Sequence, residues 1–556
     1  MTSTKTNGKN GAHKKPQDLH TVVVGGGLAG LAAACELSTH GVRVTLVEKN
    51  THLGGKMNVL EEGGFTFDMG PTIITMPQVL CGIMRRAGKD PTDYIDLVDL
   101  DPQWRCHYED GTVIDLRLDP EDTARGLDAQ FPGQHAGKGF KEFLQFSRRM
   151  FRLSEQVFFY KDLGGMTDLM KSPPKDPALL KDVLGMRLHS TVGDTIAKHV
   201  AEPHVRQMCE HFLQYVGSSP FLAPAVLSLI ASAQADHGCW YPMGGTRNVA
   251  RSLARLAEEQ GVEFVNGHGV ESIVVDDDGT ARAVELDDGR VIEADAVVSN
   301  CDVQRTYRDL IGTREARGAW RNIESRYKPA CSGVVLYLGL DKRYDHLAHH
   351  NFLFSRDPHA EFEDIYTRGE PARDPTLYLA VPSRTDEAQA PAGGEALYIL
   401  VHTAYLRDRH EWQTPDGQAG PLFESYKQVV MDKLRRFGME DVDAHIKVDR
   451  WLTPKGIERM YNAEGGAIYG LASHGKLAGG FKPANRSREF GGLYFVGGSA
   501  NPGPGVPMVT MSGVIGARCV LEDEGIETND THLDFNTRAP GRVGAAAPAM
   551  SAPAGV

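Results

Sequence analysis

The sequence has no run of the roughly 18 to 20 apolar residues that a helix needs to cross a bilayer, and its opening stretch through His20 is polar and lysine-bearing. Neither a spanning anchor nor a secretory leader is expected. A cationic excess is also lacking: 60 Lys and Arg stand against 73 Asp and Glu, a formal charge of −13. Nucleic-acid binding rests on concentrated positive charge and is not expected here. Cysteine is scarce. The eight residues at 35, 81, 106, 209, 239, 301, 331 and 519 never show the paired spacing of a structural zinc site or a dithiol centre, so reduced thiols and no metal are expected.

What is plentiful is glycine, at 61 of 556 residues, which points to many close backbone approaches. The 41% hydrophobic and 24% charged fractions are those of an ordinary globular protein, and the length favours two or more folded units. Met1 to about Asp18, and the Ala, Pro and Gly-rich end from about Thr528 to Val556, lack the apolar content to offset chain entropy and read as disordered tails. No repeat of fixed period is present. Strand-turn-helix signals fall in three separated places, which predicts one domain assembled from 19–100, 241–304 and 486–527. Residues 101–240 and 305–485 form the second, where helical patterns alternate with short strand-like runs such as Val334 to Leu340 and Tyr398 to Val401. The expected class is α/β: a Rossmann-like domain with an interleaved mixed-sheet and helical domain.

The first chemical signal is Thr21 to Val24, a β-branched run, followed by Gly25-Gly26-Gly27-Leu28-Ala29-Gly30 and an alanine-rich helix to about His40. Gly25 permits the tight turn, Gly27 lets the backbone approach a pyrophosphate, and Gly30 allows close helix–strand packing. The helix start then offers free N–H groups and a positive dipole end to phosphate. A second strand, Val42 to Val47, ends in Glu48, about twenty positions after Gly27, where an acid accepts hydrogen bonds from a ribose.

Further along stand Gly54-Gly55-Lys56, Phe67-Asp68-Met69-Gly70-Pro71-Thr72, Tyr241-Pro242-Met243-Gly244-Gly245-Thr246, and Ala296-Val297-Val298-Ser299-Asn300. In that order they resemble the FAD-binding segments of the flavin amine oxidase and phytoene desaturase superfamily. The block from Leu493 through Gly497-Gly498-Ser499-Ala500-Asn501-Pro502 to Val506-Pro507-Met508 is similar to the C-terminal signature of bacterial-type phytoene desaturases. So is the set His349-His350, Asp364-Ile365-Tyr366 and Pro375 to Asp386, which carries Tyr378, Pro382 and Arg384. The resemblance covers nearly the whole chain apart from the tails. It implies FAD, held by Gly25, Gly27, Gly30, Glu48, Gly55, Lys56, Gly70, Pro71, Thr72, Val270, Asn300, Gly498, Val506, Pro507 and Met508. Thr72 and Asn501 are candidates to line the flavin face, and no catalytic acid or base is recognisable. The chain departs from the family's histidine at Asn501 and from its small residue at Pro504. Pro507 to Gly513 is closer to members that act on already unsaturated or C30 carotenoids, including oxidases of terminal methyl groups.

The resemblance further implies a carotenoid desaturase taking hydride from a C40 or C30 polyene. The alternatives are an aldehyde-forming carotenoid oxidase, a prenyl-binding protein of the same fold without flavin chemistry, and a flavin amine oxidase. It implies a cytoplasmic protein resting peripherally on the inner face of a membrane, oxygen or a quinone as electron acceptor, and a homo-oligomer as an open case. Phe212, Tyr215, Phe221, Trp240 and Tyr241 are candidates to line the substrate cavity. Phe140, Phe143, Leu144, Met150, Phe151, Val157 and Phe158 recur at helical spacing near several basic residues, the pattern of either an interfacial helix or a buried one.

Overall fold

A computed structural model of the chain describes residues 15–165, 168, 189–475 and 479–528. The proposed tails lie outside these residues, apart from Lys15 to Asp18 and Thr528. Two sheets organise the rest.

The first has five strands in the order Leu493–Phe495, Ala296–Ser299, β1 (His20–Val24), β2 (Arg43–Glu48) and Glu263–Asn266, all parallel. Every residue of β1 is buried, as expected for a strand covered on both faces. The chain leaves β1 towards β2 on one side and later fills the other side, so the strand order reverses beside β1. In open parallel sheets ligands bind at such a reversal, beyond the carboxyl ends of the strands.

Helix α1 (Leu28–Thr39) follows β1, and its residues Leu28 to Leu37 are all buried. It is pressed between helix Arg247–Glu259 and the glycine-bearing helix Val506–Asp523. The last contact is backbone to backbone: a Cβ on Gly513 would overlap the Ala29 carbonyl oxygen. Glu36 of α1, 1% exposed, receives Arg86 at 2.8 Å and Arg518 at 3.4 Å and so ties three helices together.

The second sheet has seven strands in the order Ile446–Leu452, Ser332–Leu340, Glu395–Thr403, Leu377–Ala380, His350–Leu353, Trp104–His107 and Val113–Leu116. All neighbours are antiparallel except the parallel pair His350–Leu353 and Trp104–His107. One face packs on helix Pro421–Arg436 and the other on helix Ala136–Val157. Of the two readings of that second helix, burial holds: Phe140, Phe143, Leu144, Met150, Phe151 and Val157 are all inside. Arg148 reaches Asp236 at 2.6 Å, and the Ser147 hydroxyl donates to the Ser228 carbonyl at 2.6 Å. No described helix is long and apolar enough to cross a membrane.

Candidate active site

A cavity of about 820 Å³ takes its wall from both sheets. At the end nearest β1 the wall is backbone. Gly25 has a φ of +98°, a left-handed value that favours glycine, and turns the chain from β1 into α1. The Gly54 N–H donates to the Gly26 carbonyl at 2.8 Å, and a Cβ on Gly27 would stand 2.7 Å from the Asn300 amide nitrogen. Gly27 caps α1 without any side-chain bond to the helix, so the first N–H groups of α1 remain available to a ligand. The Glu48 carboxylate accepts from Gly26 N–H at 2.7 Å and from the Asn50 backbone and side-chain N–H groups at 2.9 and 2.7 Å. This pulls the acid to the mouth of the glycine turn. Helix Val506–Asp523 also starts without a side-chain cap, at Gly505.

Of the residues singled out for cofactor contact, Gly25, Gly27, Glu48, Gly55, Lys56, Gly70, Pro71, Thr72, Val270, Asn300, Gly498, Val506, Pro507 and Met508 all stand on the cavity wall. Gly30 does not. A Cβ there would overlap the Gly25 carbonyl oxygen, so its part is the close approach of α1 to the turn. Lys56 spends two of its three N–H groups on the carbonyls of Ala467 and Ile468, at 3.1 and 2.9 Å, and burial lowers its affinity for a proton. The Asn501 amide is likewise committed, donating to Lys161 O at 2.7 Å and Asn485 Oδ1 at 3.0 Å, which makes it a brace for the turn more than a group facing a ligand.

Tyr215 lines the cavity, whereas Phe212, Phe221, Trp240 and Tyr241 do not. Each has a packing partner elsewhere. Phe212 lies 4.7 Å from the Trp104 ring and Phe221 stacks at 3.6 Å on His359. Trp240 donates its ring N–H to the His237 carbonyl at 2.7 Å, and Tyr241 lies 4.7 Å from His349.

Sequence reasoning missed Trp104, Phe352, Leu400, His402 and Tyr469, which belong to the same wall. A signal existed for some of them. Tyr398, Leu400 and His402 alternate along one strand and therefore share a face of the sheet. Thr72 joins this side through its hydroxyl, 2.5 Å from Tyr378 Oη, which is 3.0 Å from His350 Nδ1. Burial holds the His350 imidazole well below its usual pKa, with a smaller push from His349. The charged residues of the wall, Glu48, Lys49, Lys56, Asp302, Arg305 and Asp309, all sit on β2, the loop after it, or the segment following strand Ala296–Ser299. The described substrate-side wall carries none.

A two-ended arrangement of this kind, with uncapped helix starts and an acid at one end and neutral rings at the other, suits a dinucleotide whose reactive ring meets an apolar molecule. The profile of the flavin-containing amine oxidoreductase family matches residues 28–521. The chain is 39% identical to a 4,4'-diapolycopene oxygenase of a Methylomonas species, with 88% of this chain and 96% of that protein covered. It is 38% identical to a 4,4'-diaponeurosporene oxygenase of Staphylococcus haemolyticus, with 88% and 95% covered. Among solved structures, an oxidoreductase from Methanosarcina mazei superposes with a TM-score of 0.59 at 18% identity, covering 91% of this chain and all of that one. Cyclohexylamine oxidase from Brevibacterium oxydans reaches 0.57 at 17%, covering 91% and 99%, and these two likenesses concern the fold alone. The chain belongs to the flavin-containing amine oxidoreductase family, within its branch of carotenoid-type enzymes, and is an FAD-dependent oxidoreductase.

Proposed function

We propose that the chain oxidises an acyclic C30 or C40 carotenoid by removing hydride from a carbon beside the conjugated chain, the step that introduces a further double bond. The observation that carries this reading is the far part of the cavity: a largely aromatic and aliphatic wall without charged side chains among the described residues, continuous with the charged end where the loops proposed to hold the cofactor lie. A cation formed at such a carbon spreads over the polyene, so no strong protein base is demanded.

FAD, when bound, supplies the two-electron acceptor. The chain's own groups do the rest by placement. Gly25, Gly27 and Gly55 would admit the diphosphate, Glu48 would take the ribose, and the start of helix Val506–Asp523 would offer N–H groups and partial positive charge to the ring. The Thr72 hydroxyl is fixed on the cavity wall by its hydrogen bonds through Tyr378 to His350, whose imidazole, held well below its usual pKa, orients the hydroxyls and does not store the proton. The rings of Trp104, Phe352 and Tyr398 align the polyene and exclude water.

A second reading, conversion of a terminal methyl group to an aldehyde, is favoured by the names of the relatives, 4,4'-diapolycopene oxygenase and 4,4'-diaponeurosporene oxygenase. Both readings share the first hydride removal. The substrate is nearly insoluble in water, so it is drawn from a membrane on whose inner face the protein rests, and oxygen or a quinone regenerates the cofactor. The apolar, partly exposed wall residues Phe158, Val226, Leu227 and Leu229 suit the passage of a lipid-soluble chain along the cavity.

The test is anaerobic mixing of the FAD-loaded protein with liposomes carrying diapophytoene, phytoene, 4,4'-diapolycopene or lycopene. Bleaching of the flavin band with at least one is expected. Products that have lost hydrogen alone indicate desaturation, and products that have gained oxygen indicate methyl oxidation. A flavin that never bleaches with any polyene would remove both readings.

A further inference from the structure

The substrate side of the cavity contains a polar recess. His211, Gln214, His402 and Tyr469 all stand on its wall. They come from four places: the end of helix Pro203–His211, the turn Phe212–Val216, strand Glu395–Thr403, and the segment just before Gly470. Their arrangement is fixed. His402 Nε2 lies 3.0 Å from Tyr469 Oη, and the Tyr366 hydroxyl donates to Gln214 Oε1 at 3.1 Å, which orients the amide. Gly217, with a φ of +57°, ends the turn that carries Gln214, and its bare α-carbon admits the Tyr469 ring, which any Cβ there would overlap.

What this leaves is an unmade bond. Gln214 is 4% exposed, and its Nε2 donor is buried without a hydrogen-bond partner among the described residues. Buried donors without partners are rare; as placed, this one is turned away from the open space, and a rotation of the Gln214 amide towards the cavity would let a ligand oxygen relieve it. The recess adjoins the turn proposed to hold the flavin, since a Cβ on Gly470 would stand 2.7 Å from the Gly498 carbonyl carbon. It is also uncharged. Burial lowers the pKa of His211 to about 3 and that of His402 to about 4, so both rings are neutral at physiological pH. Neutral donors and acceptors suit a hydroxyl or carbonyl oxygen, whereas a carboxylate would find no cation there.

We propose that His211, Gln214, His402 and Tyr469 form a subsite for a neutral oxygen atom carried on the reacting end of the polyene, a hydroxyl or carbonyl. A chain already oxygenated at its terminus is then held in preference to the plain hydrocarbon. This rests on the reading of the cavity as a polyene site.

The test uses the full-length FAD-loaded protein under argon, titrated with 4,4'-diapolycopene or with the corresponding terminal aldehyde in detergent micelles. Binding is read from quenching of tryptophan fluorescence, with no turnover required. The aldehyde is expected to bind about tenfold more tightly, the scale of one neutral hydrogen bond. Gln214→Leu is expected to abolish that preference while hydrocarbon affinity stays within about twofold. Tyr469→Phe, which keeps the ring against Gly217, is the milder second variant and must show the same loss of preference, with FAD content and melting temperature checked for both. Equal binding of the two ligands by the unaltered protein, as expected if the recess holds only water, overturns the subsite, and so does a variant that weakens both ligands equally. If neither ligand binds, the polyene reading falls and takes the subsite with it.

Discussion

Asp68 shows how much a single side chain can carry. It is 1% exposed and accepts the Thr246 backbone N–H at 2.7 Å, which joins the Phe65–Asp68 strand to the start of helix Arg247–Glu259. Burial raises its pKa from 3.8 to about 6, the Thr246 bonds oppose this, and Asp386 adds a smaller upward push. An acid whose folded pKa lies above its unfolded one binds protons more tightly when folded, so stability falls as pH rises between about 4 and about 6 and is level beyond. Asp68→Asn keeps an acceptor for Thr246 without the buried charge. It is expected to raise stability at pH 7 to 8 by up to about 3 kcal/mol and to flatten the profile between pH 4 and 6, as measured by urea unfolding across that range.

At this scale the sequence was an uneven guide. The glycine turn, Glu48 and the helix start at Pro507 were legible because backbone approach and helix starts have local signatures, whereas Thr72 and Gly498 came only through the family resemblance. Trp240 and Phe212 were expected on the cavity wall and pack on His237 and Trp104 instead, since an aromatic ring reads the same in a string of letters whether its partner is a ligand or another group. Gln214 and Tyr469 carried no signal at all, since their juxtaposition depends on two segments more than two hundred residues apart in the chain.

At the scale of elements, hydrophobic periodicity and β-branched runs placed β1, α1, β2, strand Ala296–Ser299 and helix Val506–Asp523 to within a residue or two. What they could not give was which faces meet. Gly513 is the place where α1 and the Val506–Asp523 helix touch at backbone distance, so Gly513→Ala is expected to cost at least about 2 kcal/mol and to weaken FAD retention, because it shifts the helix start proposed to meet the ring. Gly126 provides the contrast. It lies inside helix Pro120–Gln130 with nothing within 4 Å of where its Cβ would be, so Gly126→Ala is expected to stabilise by about 0.5–1 kcal/mol. Thermal denaturation with absorbance at the flavin band measures both. Glu36→Ala, which strands Arg86 and Arg518, is expected to destabilise by about 3–5 kcal/mol in the same assay.

For the whole molecule, the proposed cofactor contacts span residues 25 to 508, so bound FAD would join segments that lie far apart in the chain. Stripping it is expected to lower the melting temperature. Adding it back at about 1,000 times its dissociation constant is expected to restore about 4 kcal/mol of apparent stability, read as a concentration-dependent melting curve.

The five-stranded sheet has one more consequence. Its second position is taken by Ala296–Ser299 and its outer edge by Leu493–Phe495, while its centre, β1, emerges from the ribosome first. The opening strand must wait, unpaired on that flank, until more than half of the polypeptide has been translated, and α1 must wait still longer for its last helical neighbour. Acquisition of the nucleotide is therefore a post-translational event, slow by topology and exposed to chaperones and proteases until it ends. Nascent chains stalled before residue 493 should incorporate no flavin, however much is supplied.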